Sequence, residues 1–332
     1  MSNRAIRTLA DTHAFNARPR TQDQRQVYVP FGELVEAPGV ERRVTDLATA
    51  GARIGLVGRT GSGKSSLLEF VLTRHPFARV SVPVSLDQER VAREPRLFAQ
   101  HLVHALHRYG EASARQEQDE RIHAIARGSD DVRREPGLLQ GEAAFEFASS
   151  AARIEVHRPA AEIVQQAGRL FDLLKANGLQ PILVVDDSDK WLGAATEPMI
   201  EDFFGRVLPW IAELGTGIVV ALQPATYLEG RAYQEARRAG VPERELEMPV
   251  LREPAQLARI LAKRVEVTGV DEPFAGLFTE PAVETLFHYY TGDGECSLRK
   301  TLNAANCAVD LAAEAGAVVV DDALMAAGIT EK

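Results

Sequence analysis

Short apolar runs bounded by polar residues recur along the first two-thirds of this chain and alternate with stretches of helical period. Residues 54–57, 78–84, 181–185 and 217–222 are too short for buried helices and rich in branched side chains, so they predict strands covered on both faces. Between them the periodicity predicts helices over 40–50, 66–72 (amphipathic), 97–109 and 160–176, the last closed by Asn177-Gly178. Strands alternating with helices predict a parallel sheet. From about Leu251 the pattern changes to helices only, apart from the brief run Ala317-Val318-Val319-Val320. In the helix starting near Ser297, residues Leu298, Leu302, Ala305, Val309 and Ala312 keep the spacing of one face. The expected fold is α/β: a doubly wound parallel sheet followed by a small all-helical domain.

The remaining stretches set the boundaries. Residues 1–27 are polar, carry Arg4, Arg7, Arg18, Arg20 and Arg25, and are expected to be a mobile arm. The sheet domain is expected over 28–250, with 110–150 as an insertion or loosely helical excursion, and the helical domain over 251–332. At 332 residues, 45% hydrophobic and 26% charged, the chain has the composition of a globular protein. Its net charge of −9 argues against a broadly basic, nucleic-acid-coating surface. Cys296 and Cys307 are not spaced as a zinc pair and are expected to be reduced. No apolar run suits a signal peptide or a membrane span, so a cytoplasmic protein without membrane contact is expected.

The chemistry is concentrated after the first strand. Residues 58–65 are Gly-Arg-Thr-Gly-Ser-Gly-Lys-Ser, a complete phosphate-binding loop between an apolar run and a helix. Gly58, Gly61 and Gly63 would let the backbone of Arg59, Thr60 and Ser62 turn its N–H groups inward, with the helix N-terminus at Ser65-Ser66 adding its dipole. Lys64 would reach the β- and γ-phosphates and Ser65 would ligate Mg²⁺. The expected ligand is a nucleoside triphosphate, ATP.

A second acidic element fits this reading. The run 181–185 delivers Asp186-Asp187 at its C-terminal end, the edge at which such sheets bind ligands. Asp186 would hold Mg²⁺ and Asp187 would orient or deprotonate the attacking water; a solvated acidic turn is the plain alternative. Gln223 follows the strand 217–222 and either orients that water or is a turn residue before Pro224. Arg299, in the first turn of the helix after Ser297, would reach phosphate from the helical domain. His101, His104 and His107, three residues apart, do not share a helix face and are not expected to bind metal. Trp191 and Trp210 are expected to be packing residues. Arg237-Arg238 form a solvated face, though either of them or Arg231 would serve as an arginine inserted into a neighbouring subunit.

The phosphate loop, the strand ending Asp186-Asp187-Ser188-Asp189-Lys190, the polar Gln223 and an all-helical C-terminal domain carrying Arg299 together resemble an AAA+ ATPase. Asp186–Lys190 and the segment Gly292-Asp293, Ser297-Leu298-Arg299-Lys300 and Asn303-Ala304-Ala305 are similar to the origin-recognition and replication-initiator clade and to related bacterial switch ATPases. The resemblance covers about residues 28–332. It implies that Lys64 and Ser65 belong to Walker A, Asp186 to Walker B, Gln223 to sensor 1 and Arg299 to sensor 2, with Val29-Pro30-Phe31 lining the adenine pocket. Asp187 stands where most members carry a glutamate; being a methylene shorter, it implies slow turnover. A winged-helix DNA-binding domain is not supported by the roughly thirty residues after Arg299.

The expected function is therefore an ATP-binding, slowly hydrolysing molecular switch that couples nucleotide state to its lid and to a protein partner. The alternatives are an oligomeric, nucleic-acid-associated remodeller or loader, in which DNA is a ligand, and a non-hydrolysing regulatory NTPase scaffold.

Overall fold

The computed structural model describes residues 3–17, 26–35, 39–74, 76–83, 93–127, 136–155, 157–186, 197–223, 230–294 and 296–331. Along it run α1 (Arg4–Asp11), α2 (Phe31–Leu34), α3 (Val40–Thr49), β1 (Arg53–Val57), α4 (Lys64–Leu72), β2 (Phe77–Pro83), α5 (Pro95–Arg127), α6 (Glu142–Ala152), α7 (Ala160–Ala176) and β3 (Gln180–Asp186). There follow α8 (Glu197–Asp202), a π-helical turn (Phe203–Val207), α9 (Leu208–Ala212), β4 (Gly217–Leu222), α10 (Arg231–Arg238) and β5 (Arg244–Glu247). The chain ends with α11 (Pro254–Val267), α12 (Phe274–Leu277), α13 (Glu280–Thr291), α14 (Leu298–Glu314) and α15 (Asp322–Thr330). Mutual contacts divide it into a loop-and-lid unit (Met1–Arg43, Gly58–Phe70, Glu247–Lys332) and a sheet unit (Val44–Val57, Val71–Leu246). This division cuts across the sequential domains expected above, because the phosphate loop groups with the C-terminal helices.

In the sheet unit the strand order is β2-β3-β4-β1-β5, and the β2/β3, β3/β4 and β4/β1 pairs are parallel. Every residue of the central β4 is buried. Ile218, Val220 and Leu222 join a core with Phe98, Phe147 and Phe171, while Val219 and Ala221 are buried on the other face. Burial on both faces explains why these strands are unbroken apolar runs. The pairings Val185↔Val220 and Gly55↔Val220 set β3 and β1 level, so Asp186, Gln223 and the end of β1 share the C-terminal edge. The Arg-Glu-Leu-Glu strand β5 is not foreseen by the apolar pattern. It lies at the edge with only Leu246 buried, where charge guards against foreign pairing.

Two stretches carry helices beyond those expected. The helix predicted over 97–109 continues to Arg127, and α6 packs on it, so helices occupy much of the stretch 110–150. Gly110 is not a break: a Cβ there would lie 2.9 Å from the Cα of Ala148, so its bare Cα admits α6. The expected mobile arm contains α1, whose Ala5, Ile6 and Leu9 are buried and which packs on α14. Buried Arg264 of α11 holds the segment behind α1, donating to the carbonyls of Ala14 (3.3 Å) and Asn16 (2.8 Å). Burial brings its pKa down to about 10. Phe15 meets Phe278 edge-on at 5.5 Å.

Smaller points follow. The helix expected to be amphipathic over 66–72 is buried from Leu67 to Leu72, Glu69 included. The run 317–320 forms a single bridge, Phe278↔Val320. Trp210 packs edge-on against Phe98 at 6.5 Å, whereas Trp191 lies outside the described residues. Among the described residues no group of three or more His, Cys, Asp or Glu is placed to hold a metal ion, and no helix is long and apolar enough to cross a membrane.

The lid helices α14 and α15 touch through backbone. A Cβ on Gly328 would lie 2.5 Å from the amide nitrogen and 2.8 Å from the Cα of Ala308, atoms that cannot rotate away. Gly328→Ala should therefore destabilise the protein by about 1–3 kcal/mol in urea or thermal unfolding. An unchanged midpoint would contradict this packing.

Candidate functional site

β1 ends at Val57, residues 58–63 turn the chain, and Lys64 opens α4. Gly61 and Gly63 hold φ of 78° and 97°, a left-handed backbone that glycine adopts without strain. A turn of this kind directs successive amides to one side, a concavity that suits an anion. Inside it Lys64 is 6% exposed and its Nζ donates to the carbonyls of Gly58 (2.6 Å) and Arg59 (3.0 Å). The Ser62 Oγ is buried with no hydrogen-bond partner. A buried ammonium and an unsatisfied buried hydroxyl beside a helix N-terminus fit a phosphate group: each gains a partner when an anion arrives.

The lid reaches this loop directly. Ser297 caps α14, its Oγ accepting from the Lys300 amide at 3.4 Å. The next free amide of that helix, on Arg299, donates to the Gly61 carbonyl at 3.2 Å. A Cβ on Gly61 would lie 2.4 Å from Ser297 Oγ and 2.8 Å from Arg299 Cβ, so only glycine fits. On the other side of the lid turn, the Arg59 guanidinium donates to the Gly294 carbonyl.

A third piece of chain joins from the N-terminal side. Tyr28 lies against Phe70 of α4 with ring centroids 4.3 Å apart, and Phe31 reaches to 3.9 Å of the Cβ position of Gly63. Glu41 Oε1 accepts from both the Tyr28 hydroxyl (2.8 Å) and the Phe31 amide. Burial, and then the Glu41 charge, raise the Tyr28 pKa far above the ordinary phenol range. Lid residue Gln256 donates to the Leu34 carbonyl at 2.7 Å, fixing the far end of α2. Met248 lies under Gly58, its Cγ 2.7 Å from the Cβ position there.

Of the candidate residues, the loop-and-lid unit brings together Gly58 to Ser66, Phe31 and Arg299, with half-buried Val29 and Pro30 adjoining Phe31. Ser65 is exposed in the first turn of α4. Asp186 and Gln223, both half-buried, belong to the sheet unit on the edge from which β1 runs on into Gly58. Asp187 lies outside the described residues. Sequence reasoning missed Glu41 and Met248, since nothing in their local patterns marks them; both act over long sequence separations.

Glu41→Ala would leave the Tyr28 hydroxyl and the Phe31 amide without their shared acceptor and should cost about 1–3 kcal/mol in denaturant unfolding, with Glu41→Gln milder. Equal stability of wild type and Glu41→Ala would show that the segment is held by other contacts.

No protein-family model matches the chain, and no curated protein matches it. Among solved structures the likenesses are distant. The Aeropyrum pernix ORC2 protein, in ADPNP–ADP complexes, is 17% identical over 92% of this chain and 69% of its own, with a TM-score of 0.49. Drosophila ORC bound to DNA is 13% identical over 94% of this chain and 64% of its own, with a TM-score of 0.48. CDC6P from Pyrobaculum aerophilum is 15% identical over 91% and 64%, with a TM-score of 0.44. This chain thus spans 64–69% of the length of these structures.

Proposed function

We propose that this chain binds ATP with Mg²⁺, hydrolyses it slowly, and uses the nucleotide to set the position of its helical lid, and through the lid a protein partner. The observation that carries this reading is the seating of α14 on the phosphate loop, Arg299 amide to Gly61 carbonyl, beside a buried Lys64. In this reading 28–250 is the ATPase body and 251–332 the lid.

Each residue then has a task. Lys64 exchanges the carbonyls of Gly58 and Arg59 for β- and γ-phosphate oxygens, and Ser62 Oγ donates to the same anion. The loop amides and the α4 N-terminus hold the remaining phosphate charge. The Val29–Phe31 segment, fixed by Glu41 and by Gln256, meets the base. Ser65 and Asp186 hold Mg²⁺, which supplies charge neutralisation on the phosphate oxygens when bound. Asp187 accepts a proton from water as its oxygen bonds to the γ-phosphorus, while the bridging oxygen leaves with the bonding pair on ADP. Gln223 orients that water, and the short Asp187 side chain keeps turnover low.

Arg299 provides the switch. Its guanidinium gains a partner only while a γ-phosphate is present, so ATP and ADP differ in their contact with α14. A ligand shifts a conformational equilibrium only through such a difference.

Two measurements test the reading. By calorimetry, Lys64→Ala should weaken ATP binding on the order of 100-fold; wild-type affinity in this variant would refute the phosphate-loop assignment. Asp187→Ala should bind ATP normally yet hydrolyse it about 10² times more slowly or worse. Undiminished phosphate release would remove Asp187 from its role.

A further inference from the structure

Arg59 occupies the second position of the loop, and both its ends are engaged. Its carbonyl accepts from Lys64 Nζ at 3.0 Å, and its exposed guanidinium donates to the carbonyl of Gly294. Gly294 ends the turn Gly292–Gly294 that carries the chain from α13 towards the cap Ser297. That turn is unusual in backbone: φ is 64° at Gly294 and 46° at Cys296. A side-chain-bearing residue rarely adopts the latter and keeps it where its surroundings hold it.

Two hydrogen bonds thus link the lid to the loop, Arg59 to Gly294 and Gly61 to Arg299, one on each side of the turn. A single hydrogen bond would let α14 pivot about it. Two separated bonds fix a direction, and with it the facing of the Arg299 side chain. Gly61 contributes only backbone, so Arg59 is the side chain of the pair whose identity matters.

Building on the nucleotide reading above, we propose that Arg59 is a positioning residue that latches the entry turn of the lid to the phosphate loop and so gives triphosphate its preference over diphosphate. It acts through Arg299. With the latch closed, Arg299 starts from a fixed orientation and loses little freedom on meeting the γ-phosphate. With the latch lost, ATP binding bears that ordering cost and ADP binding does not. Lys64 ties the latch to ligand arrival, because the ammonium that would engage phosphate is the one held by the Arg59 carbonyl.

The test uses the full chain with Arg59→Ala and Arg59→Lys. Without nucleotide, hydrogen exchange over 292–300 should speed up several-fold in Arg59→Ala, while α5 is unchanged. Affinity for a slowly hydrolysed ATP analogue should fall about threefold to tenfold, the worth of one ordinary hydrogen bond, while ADP affinity changes less than about twofold. Arg59→Lys, which keeps a donor, should recover most of both effects. Unaltered exchange over 292–300 would overturn the latch. Equal losses for ATP and ADP would overturn the coupling and make Arg59 a plain phosphate ligand. If the wild-type chain binds neither nucleotide, the nucleotide reading and the coupling both fail, and the exchange result alone decides whether the latch stands.

Discussion

The peptide of Gly61 is the constraint on which the site is built. The first N–H groups of a helix have no partners within it and must find acceptors elsewhere. In α14, Lys300 uses the Ser297 hydroxyl and Arg299 uses the Gly61 carbonyl. The loop thus completes the cap of a lid helix more than 230 residues away in sequence. Gly61 can do this because it has a positive φ and no Cβ to strike Ser297 or Arg299. The other end of the same peptide, the Ser62 amide, donates to the Arg59 carbonyl at 3.1 Å, so the peptide is held at both ends.

This contact also explains why compactness does not follow chain order. Residues 58–70 group with 247–332 and with the N-terminal 43 residues. The N-terminal piece is secured separately at three places: α1 by α14, the turn behind it by Arg264, and α2 by Gln256. Glu41 then ties Tyr28 and Phe31 together beside α4. Three stretches distant in sequence are therefore held by hydrogen bonds to backbone, which tolerate varied side chains on the donor side only where the geometry is kept.

Legibility in the sequence followed the range of the interactions. The central strands were plain because burial on both faces leaves only apolar residues, and the loop was plain because phosphate chemistry demands fixed residue types at fixed spacing. α7 and the start of α14 were visible through Asn177-Gly178 and Ser297, whose capping roles are local. α1 was hidden because its buried stripe is only Ala5, Ile6 and Leu9 among arginines. The length of α5 was hidden by Gly110 and by the polar run after it, such as the Glu117–Arg121 ion pair; the compensating partner of Gly110 is Ala148, on another helix. β5 was hidden because an edge strand carries charge where a central one cannot. Glu41, Met248 and the outward reach of Arg59 left no local trace at all.

The same distinction bears on energetics. A contact such as Arg59 to Gly294 is solvent-exposed and by itself worth little, since water competes for both partners. Its weight comes from arrangement. Gly61 and Arg299 already limit the separation of lid and loop, so Arg59 need supply only orientation, and orientation is inexpensive once distance is fixed. Weak, exposed bonds placed in series with a stronger steric constraint can therefore bias a conformational equilibrium without locking it. That is the property a switch requires: a free-energy difference between its two states small enough for a single phosphate group to decide which is populated.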